Sequence, residues 1–397
     1  MQRYNMSLIE LKNTEEGLVI GLSGHIDSGN APAVEEEITA ADSGNEGNVI
    51  IDAEKLEYIS SAGLRILLRL KKKHPDLKVI NVSNEVYEIF DMTGFSEMME
   101  VQKGYRTLSM EGCEIIGQGA NGTVYRLDPD TIVKVYKNAD ALPDIKRERE
   151  LARTALILGV PTAIPYDVVK VGDNYGSVYE LLNSQTFAKI ILDEPQKKDE
   201  IIDMSVDLLK KIHATEAKPD TMPDFLETGI KWVTFMKDYL PAESYEKLYA
   251  LIQEVPHDLH MIHGDYHLKN IMLQDGEALL IDMDTISTGH PVFEFASIFN
   301  AYQGFGEADH GVCERFLGLP YDTCCEIWKK TVDRYFADRP EEERKAIVDK
   351  ARIIGYTRII RREIRRDGLN RPEGKALIDR CTELLIELLK TTDTLLF

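Results

Sequence analysis

The sequence lacks any apolar run that approaches the roughly 18 residues needed for a membrane-spanning helix. Its first residues, MQRYNMSLIE, are too polar for a secretory signal peptide. Cysteine is scarce: there are five, an odd number, and no pair has the spacing of metal ligands, which argues against a disulfide framework. We therefore expect a cytoplasmic protein that keeps its thiols reduced and does not enter a membrane.

Positive charge is also in short supply. The chain has 47 lysines and arginines against 68 aspartates and glutamates, which gives a net charge of −21. A phosphate backbone would be repelled over most of such a surface, so we expect no nucleic-acid partner. The 397 residues are enough for two or three domains, because a typical domain takes about 150 residues.

The first part of the chain alternates short apolar runs with amphipathic stretches, and this pattern predicts an α/β domain. Residues 101–112 are polar and lack periodicity, so we place a domain boundary there. The boundary gives a first, regulatory domain at 1–105 and a second domain at 106–397. The elements predicted in the first domain are strands at 17–22, 48–52 and 77–82 and helices at 31–41, 62–73 and 84–92.

A glycine-rich segment, GQGANGTV at 117–124, begins the second domain's series of motifs. Glycines let backbone N–H groups approach and cover phosphates. β-Branched residues follow the segment and recur at 132–135, which predicts a loop between two strands, as in kinases. A dinucleotide-binding loop would open a helix instead, and no GxxxxGK[ST] phosphate loop is present. Alone, the pattern also fits a glycine-rich hairpin that binds nothing.

Lys134 lies in the middle of the second of these strands, on the same face as Tyr136. An ammonium group in an apolar strand needs an anion or must lie at a solvated edge. On the helix predicted at 144–158, Glu148 shares the apolar face, so it is the better candidate to pair with Lys134. Glu150 is the alternative.

A third motif, HGDYHLKN at 263–270, places Asp265 and Asn270 five residues apart, as in a kinase catalytic loop. An aspartate there can orient and deprotonate an acceptor hydroxyl, while the asparagine offers an oxygen to Mg²⁺. Asp282 follows an apolar strand and is a candidate second ligand of the metal. The four motifs occur in the order of a kinase, and this order carries more weight than any one of them.

Residues 113–300 resemble the aminoglycoside phosphotransferase and choline kinase group, relatives of the protein kinases. HGDYHLKN at 263–270 is similar to that group's HGDxHxxN, and IDMD at 281–284 to its IDxxD. GHPVFEFA at 289–296 is similar to GxPxxDLA, with Glu294 in place of the usual aspartate.

This resemblance implies a two-lobed, protein kinase-like α+β domain, with a small lobe at about 110–182 and a large helical lobe at about 183–397. It implies ATP and Mg²⁺ as cofactors and transfer of the γ-phosphate to an alcohol group. A hinge would meet adenine through backbone groups near Glu180 and Leu182. The residues expected at the nucleotide are Gly117, Gly119, Gly122, Val124, Lys134, Glu148, Glu180 and Leu182; those expected in catalysis are Asp265, Asn270 and Asp282, of which Asn270 and Asp282 would hold the metal.

The segment ISSAGL lies between an apolar strand and an amphipathic helix, so Ser60 or Ser61 could cap that helix. Residues 6–103 resemble the STAS domain of anti-sigma factor antagonists. That family's phosphorylated serine matches Ser61, which implies a possible phosphosite and a protein partner. Many members have aspartate where this chain has Ser60 and serine or threonine where it has Ala62.

Three functions fit these patterns. The first is phosphorylation of a small molecule on a hydroxyl group, the second is phosphorylation of a protein serine such as Ser61, and the third is nucleotide sensing without catalysis. The whole-chain charge would suit a cationic acceptor. The arginine-rich helix around 352–366 would suit an anionic acceptor or partner, or would neutralise an acidic lobe.

Overall fold

The computed structural model describes residues 8–14, 17–45, 47–119, 121–182 and 185–397. The chain forms two compact units, one of Met1–Ser109 and Val168–Gly172 and one of Met110–Asp167 and Asp173–Phe397. Among the described residues, no helix is both long and apolar enough to cross a membrane.

The first unit is a five-stranded sheet with helices, which confirms the predicted α/β class. The strands lie in the order β1-β2-β3-β4-β5; β1 and β2 are antiparallel and the other pairs are parallel. A two-residue strand, β6, pairs with residues 169–170, which explains why this short segment groups with the first unit. The elements are β1 Ile9–Thr14, β2 Gly17–Ile26, α1 Ala31–Ala41, β3 Val49–Ile59, α2 Ser61–Lys73, β4 Lys78–Val82, α3 Asn84–Met92, α4 Phe95–Met98, β5 Glu100–Lys103 and β6 Arg106–Thr107.

Helix α2 packs closely on the sheet at its first turn. A Cβ atom on Gly63 would lie 2.6 Å from a side-chain carbon of Ile59 and 2.8 Å from one of Ile26. Ser60 caps this helix, because its side chain accepts a hydrogen bond from the Gly63 N–H at 3.5 Å. Ser61 is the first helical residue and is exposed.

The second unit begins with an antiparallel sheet and one long helix. Its strands lie in the order β11-β9-β8-β7. This arrangement places the glycine-rich segment between two paired strands, as the kinase interpretation predicts. The elements are β7 Ile115–Gln118, β8 Gly122–Arg126, β9 Thr131–Tyr136, α5 Leu142–Ile157, β10 Pro165–Val171 and β11 Asn174–Glu180.

The rest of the unit is mostly helical and contains two short hairpin-like sheets, β12-β15 and β13-β14. Its core is built of aliphatic and aromatic side chains, including three fully buried phenylalanines on α10. The regular elements are α6 Phe187–Asp193, α7 Lys198–His213, α8 Phe225–Phe235, α9 Ala242–Gln253, β12 Met261–Ile262, β13 Ile271–Gln274, β14 Glu277–Leu280, β15 Ser287–Thr288, α10 Pro291–Phe299, α11 Gly311–Leu317, α12 Tyr321–Tyr335, α13 Glu341–Arg365 and α14 Pro372–Thr391; 3₁₀ turns cover Pro195–Lys197, Met236–Asp238 and Gly368–Asn370, and a π turn covers Asn300–Gly304.

The long helix α13 lies tightly against the end of α10. A Cβ atom on Gly355 would lie 2.6 Å from Cδ1 of Phe299, so any larger residue would clash with this ring. The side-chain amide of Asn300 also donates a hydrogen bond to the Gly355 carbonyl at 3.1 Å. These contacts fix the position of α13 relative to α10.

Candidate active site

Lys134 extends from β9 toward two carboxylates. Its Nζ atom lies 3.1 Å from Oε1 of Glu148 on α5 and 2.8 Å from Oδ1 of Asp282, which follows β14. Burial alone would lower the pKa of Lys134, but Glu148 and Asp282 raise it above its ordinary value. The lysine is therefore charged, and it connects α5 of the small lobe with the large lobe.

Glu148 is held by more than the lysine. It is buried on α5, and its two carboxylate oxygens accept hydrogen bonds from the hydroxyls of Tyr136 at 2.6 Å and Tyr179 at 3.1 Å. Glu150, the alternative partner of Lys134, is exposed. Sequence reasoning missed both tyrosines as site residues. Tyr136 had a signal, since it lies two residues from Lys134 on the same face, whereas Tyr179 comes from β11, and no local pattern shows that β11 pairs with β9.

In the glycine-rich segment, Gly117 lies in β7 and Gly122 is the first residue of β8. The Gly119 N–H donates to the Gly122 carbonyl at 2.9 Å, and Lys137 Nζ donates to the Gly119 carbonyl at 2.8 Å. A Cβ atom on Gly122 would lie 2.4 Å from the Val135 carbonyl oxygen, so only glycine lets β8 approach β9 in this way.

The predicted nucleotide residues outside the loop lie along the same sheet. Val124 is half-buried on β8 and pairs with Lys134 on β9. Glu180 ends β11, and its Oε1 accepts a hydrogen bond from the Ile164 N–H at 2.8 Å, so this side chain is engaged within the small lobe. Leu182 is buried just beyond the strand.

Asp265 lies in the loop between β12 and β13, with its carboxylate between an imidazole and a guanidinium group. Its oxygens lie 3.6 Å from His267 Nε2 and 3.8 Å from Nη2 of Arg358 on α13. Burial would raise the pKa of Asp265, but His267 and Arg358 lower it to about 2. The carboxylate is therefore ionised at neutral pH, and at 41% exposure it remains open to an acceptor.

Asn270 is oriented by its own loop. Its Nδ2 atom donates to the Asp265 backbone carbonyl at 3.1 Å, which leaves its Oδ1 atom available as a ligand. The Asn270 carbonyl in turn accepts from the Ile281 N–H at 2.9 Å, so Asn270 and Asp282 are held close together. Asp282 adopts a positive φ of 63°, in the left-handed region that aspartate enters more readily than most residues.

These oxygen atoms form a donor set that suits Mg²⁺. The ion is usually held by one or two side-chain oxygens together with substrate phosphates rather than by a cage of protein ligands. Asn270 and Asp282 supply such oxygens, so they fit the metal. The described residues contain no group of three or more histidine, cysteine or acidic side chains that could hold a metal ion.

Glu294 on α10 holds the backbone of the loop between β12 and β13. Its side chain is fully buried, and its carboxylate oxygens accept hydrogen bonds from the backbone N–H groups of His263 and Gly264, the latter at 3.0 Å. The Gly264 carbonyl is held from another side by Ser297 Oγ at 3.0 Å and Arg358 Nη1 at 3.2 Å. Sequence reasoning noted Glu294 only as a departure from the usual aspartate.

Beside Lys134 lies a cleft of about 420 Å³, lined in part by Lys137, Glu148 and Asp284. Burial raises the pKa of Asp284 to about 7, and the nearby charge of Asp282 adds to the effect. The cleft therefore brings basic and acidic side chains together.

Comparison with known proteins defines the family and the fold of the second unit. Residues 112–323 match the model of the Phosphotransferase enzyme family, and the chain belongs to that family. Its fold is also that of aminoglycoside phosphotransferase APH(4)-Ia, with a TM-score of 0.50 at 13% identity over 70% of this chain and 93% of that one. A thermostable mutant of the same enzyme, in a ternary complex with AMP-PNP and hygromycin B, gives a TM-score of 0.51 at 11% identity over 71% of this chain and 98% of that one.

In the first unit, residues 8–109 match the model of the STAS domain. Over 91 residues it is 34% identical to the protein of Bordetella bronchiseptica named "Putative anti-sigma factor antagonist BtrV", covering 22% of this chain and 78% of that protein. Over 100 residues it is 24% identical to the anti-sigma-B factor antagonist of Staphylococcus aureus, covering 24% of this chain and 93% of that protein. The chain thus joins an anti-sigma antagonist-like STAS domain to a phosphotransferase domain.

Proposed function

We propose that the protein is an ATP- and Mg²⁺-dependent kinase that transfers the γ-phosphate to a hydroxyl group of a small molecule, and that its STAS domain is a docking or regulatory module. The observation that carries this proposal is a series of contacts: Lys134 pairs with Asp282, the neighbouring Ile281 N–H donates to the Asn270 carbonyl, and the Asn270 side chain donates to the Asp265 carbonyl. These side chains would supply the positive charge, the metal ligands and the carboxylate that phosphoryl transfer needs.

Each side chain has a distinct task in this mechanism. Lys134, steadied by Glu148, would bind the α- and β-phosphates. Asp265 would accept a hydrogen bond from the acceptor hydroxyl and orient its oxygen. That oxygen forms a bond to the γ-phosphorus as the bond to the β,γ-bridging oxygen breaks, and the products are a phosphomonoester, ADP and a proton. Because the pKa of Asp265 is low, positioning is its larger contribution and proton removal its smaller one.

Asn270 and Asp282 would hold the metal through their side-chain oxygens. Bound Mg²⁺ would neutralise part of the charge on the phosphates. Asp282 is ion-paired with Lys134 in this structure, so the pair keeps both side chains at the cleft before the nucleotide binds.

The test is ADP release from Mg-ATP by the full-length protein, with and without hydroxyl compounds, alongside calorimetry of AMP-PNP binding. We expect binding and acceptor-stimulated release in the wild type, and binding without stimulated release in Asp265→Ala. Nucleotide binding without any turnover would instead favour a sensing module, and failure to bind nucleotide would refute the proposal.

A second function, phosphorylation of the STAS serine, is favoured by the position of Ser61. Because Ser60 caps α2, the exposed Ser61 hydroxyl is free of hydrogen bonds among the described residues. A phosphate there would lie at the N-terminus of α2, where the helix dipole favours negative charge. Incubation with Mg-ATP and peptide mapping over residues 56–69 would detect it, with Asp265→Ala and Ser61→Ala as controls. Absence of labelling would leave the STAS domain as a docking module.

A further inference from the structure

Four arginines run along one face of α13, beginning at the catalytic loop. Arg358, Arg361, Arg362 and Arg365 are spaced i, i+3, i+4 and i+7, so they share a face, and we call them the arginine strip. Arg358 is the member 3.8 Å from Asp265. From there the strip extends about 10 Å along the helix axis, given a rise of about 1.5 Å per residue.

Aromatic rings orient three of these guanidinium groups. A guanidinium stacked on a ring is held in place by that ring. The pairs are Arg358 over Trp232 at 5.3 Å, Arg361 over Phe235 at 5.8 Å and Arg362 over Phe305 at 4.6 Å.

The strip carries more positive charge than its surroundings neutralise. Most arginines of residues 185–397 lie within 4.0 Å of a carboxylate, such as Arg334 near Asp199 and Arg344 near Asp333. The exceptions are Arg361, Arg365, Arg366 and Arg380, and the first three lie together at the end of α13.

Arginines that lack a carboxylate partner destabilise the helix that carries them when they lie close together. Like charges four residues apart on a helix repel each other. Burial lowers the pKa of Arg361, and the neighbouring Arg365 lowers it further. Favourable interaction with the helix C-terminus can account for Arg362 and Arg365 in the last turn. It does not account for Arg358 and Arg361, which lie before that turn.

We propose that the arginine strip binds an anionic group of the acceptor, so that the substrate is a small hydroxyl compound that also carries a phosphate or a carboxylate. Guanidinium groups match both anions through paired hydrogen bonds. The strip would hold the anion within about 10 Å of Asp265, a distance that follows from the helix rise and suits a sugar phosphate or a hydroxy acid. A cationic acceptor would be repelled here, although the whole chain carries a charge of −21. This inference rests on the proposed kinase function.

The experiment compares three pools of hydroxyl compounds by ADP release from Mg-ATP: sugar phosphates with hydroxy acids, neutral sugars with polyols, and choline with aminoglycosides. The full-length wild type is compared with the double variant Arg361→Gln/Arg365→Gln and its charge-keeping counterpart Arg361→Lys/Arg365→Lys. Arg380→Gln is the matched control, because Arg380 is exposed on α14 and also lacks a carboxylate partner.

We expect only the anionic pool to stimulate ADP release. In the glutamine double variant the acceptor kcat/KM should fall about tenfold or more, the factor for one lost hydrogen bond to a charged group. The lysine variant should recover part of this loss, and Arg380→Gln should match the wild type. AMP-PNP affinity, measured in parallel, reports whether each variant is folded.

Three results would overturn the inference while leaving the kinase proposal intact. They are stimulation by the neutral or cationic pool alone, nucleotide binding with no stimulation by the anionic pool, and an unchanged kcat/KM with a lowered melting temperature in the double variant. The last would assign the arginines to helix stability. Failure of the wild type to bind AMP-PNP would instead count against the kinase proposal itself.

Discussion

Replacing Glu294 by glutamine should both loosen the catalytic loop and destabilise the second unit. The carboxylate receives two backbone N–H groups, from His263 and Gly264, in a fully buried position. A glutamine offers only one acceptor oxygen, so one N–H would face the amide NH₂ group, itself a donor. The substitution therefore removes one charge-assisted hydrogen bond and leaves a buried donor unpaired.

The magnitude follows from these two losses. A hydrogen bond to a charged group contributes about 1.5–3 kcal/mol, and an unpaired buried donor costs about 1–3 kcal/mol. Both figures include the loss of the same N–H group's hydrogen bond, so they cannot simply be added. We therefore expect a loss of about 3 kcal/mol in the free energy of unfolding. We also expect kcat to fall while nucleotide affinity stays near that of the wild type, because Lys134 and Glu148 are untouched.

Urea unfolding followed by tryptophan fluorescence measures this effect selectively. The chain has two tryptophans, Trp232 and Trp328, and both lie in the second unit, so the signal does not report on the STAS domain. Glu383→Gln, on the exposed face of α14, is the matched control and should change nothing. If Glu294→Gln unfolded within about 0.5 kcal/mol of the wild type, the range of an ordinary surface substitution, the supporting role of Glu294 would be refuted.

Three further outcomes follow from the site. Asp265→Ala should keep AMP-PNP binding but lower turnover by about 10²–10⁴, the usual contribution of a positioned acid–base group; near-wild-type ADP release would remove Asp265 from its assigned role. Asp282→Ala should abolish the tightening of nucleotide binding by Mg²⁺, so calorimetric titrations of this variant with and without the metal should coincide. His290, whose pKa burial lowers to about 4, should be neutral in the folded protein. Since its unfolded pKa is about 6.5, its contribution to stability is complete above pH 6.5 and is lost as the pH falls toward 4, by up to about 3 kcal/mol. His290→Asn, which can still cap α10, should weaken that pH dependence in urea unfolding, and an unchanged profile would show that other groups cause it.

The kinase-like class could be predicted from the sequence because its signals are local. Glycines in a hairpin, a lysine in an apolar strand and the HGDYHLKN segment each depend on neighbouring residues, and the fold comparisons confirm the class they indicate. The individual roles assigned to the site residues remain predictions. In the first unit, β1 was missed because only Ile9 of its residues is buried, so the strand has no apolar periodicity.

The site features that were missed depend on contacts between distant parts of the chain. Arg358 meets Asp265 only because α13 packs beside the catalytic loop, and the arginine-rich sequence around it did not show which of its residues would face that loop. The role of Glu294 was hidden for a similar reason. The glutamate side chain, one methylene longer than the usual aspartate, reaches the N–H groups of His263 and Gly264. The sequence alone does not give the distance between α10 and these groups.

The tight contact at Gly355 has a consequence for how this enzyme could diversify. One face of α13 is locked against Phe299 and Asn300 and tolerates no larger side chain. The face with Arg361 and Arg365 makes no contact of that kind. If the arginine strip binds the acceptor as proposed, mutations at these two positions would alter acceptor preference at little cost to folding. On that basis, a directed-evolution library confined to positions 361 and 365 would change the substrate while keeping the scaffold, whereas a library over the opposite face would yield mostly unfolded protein.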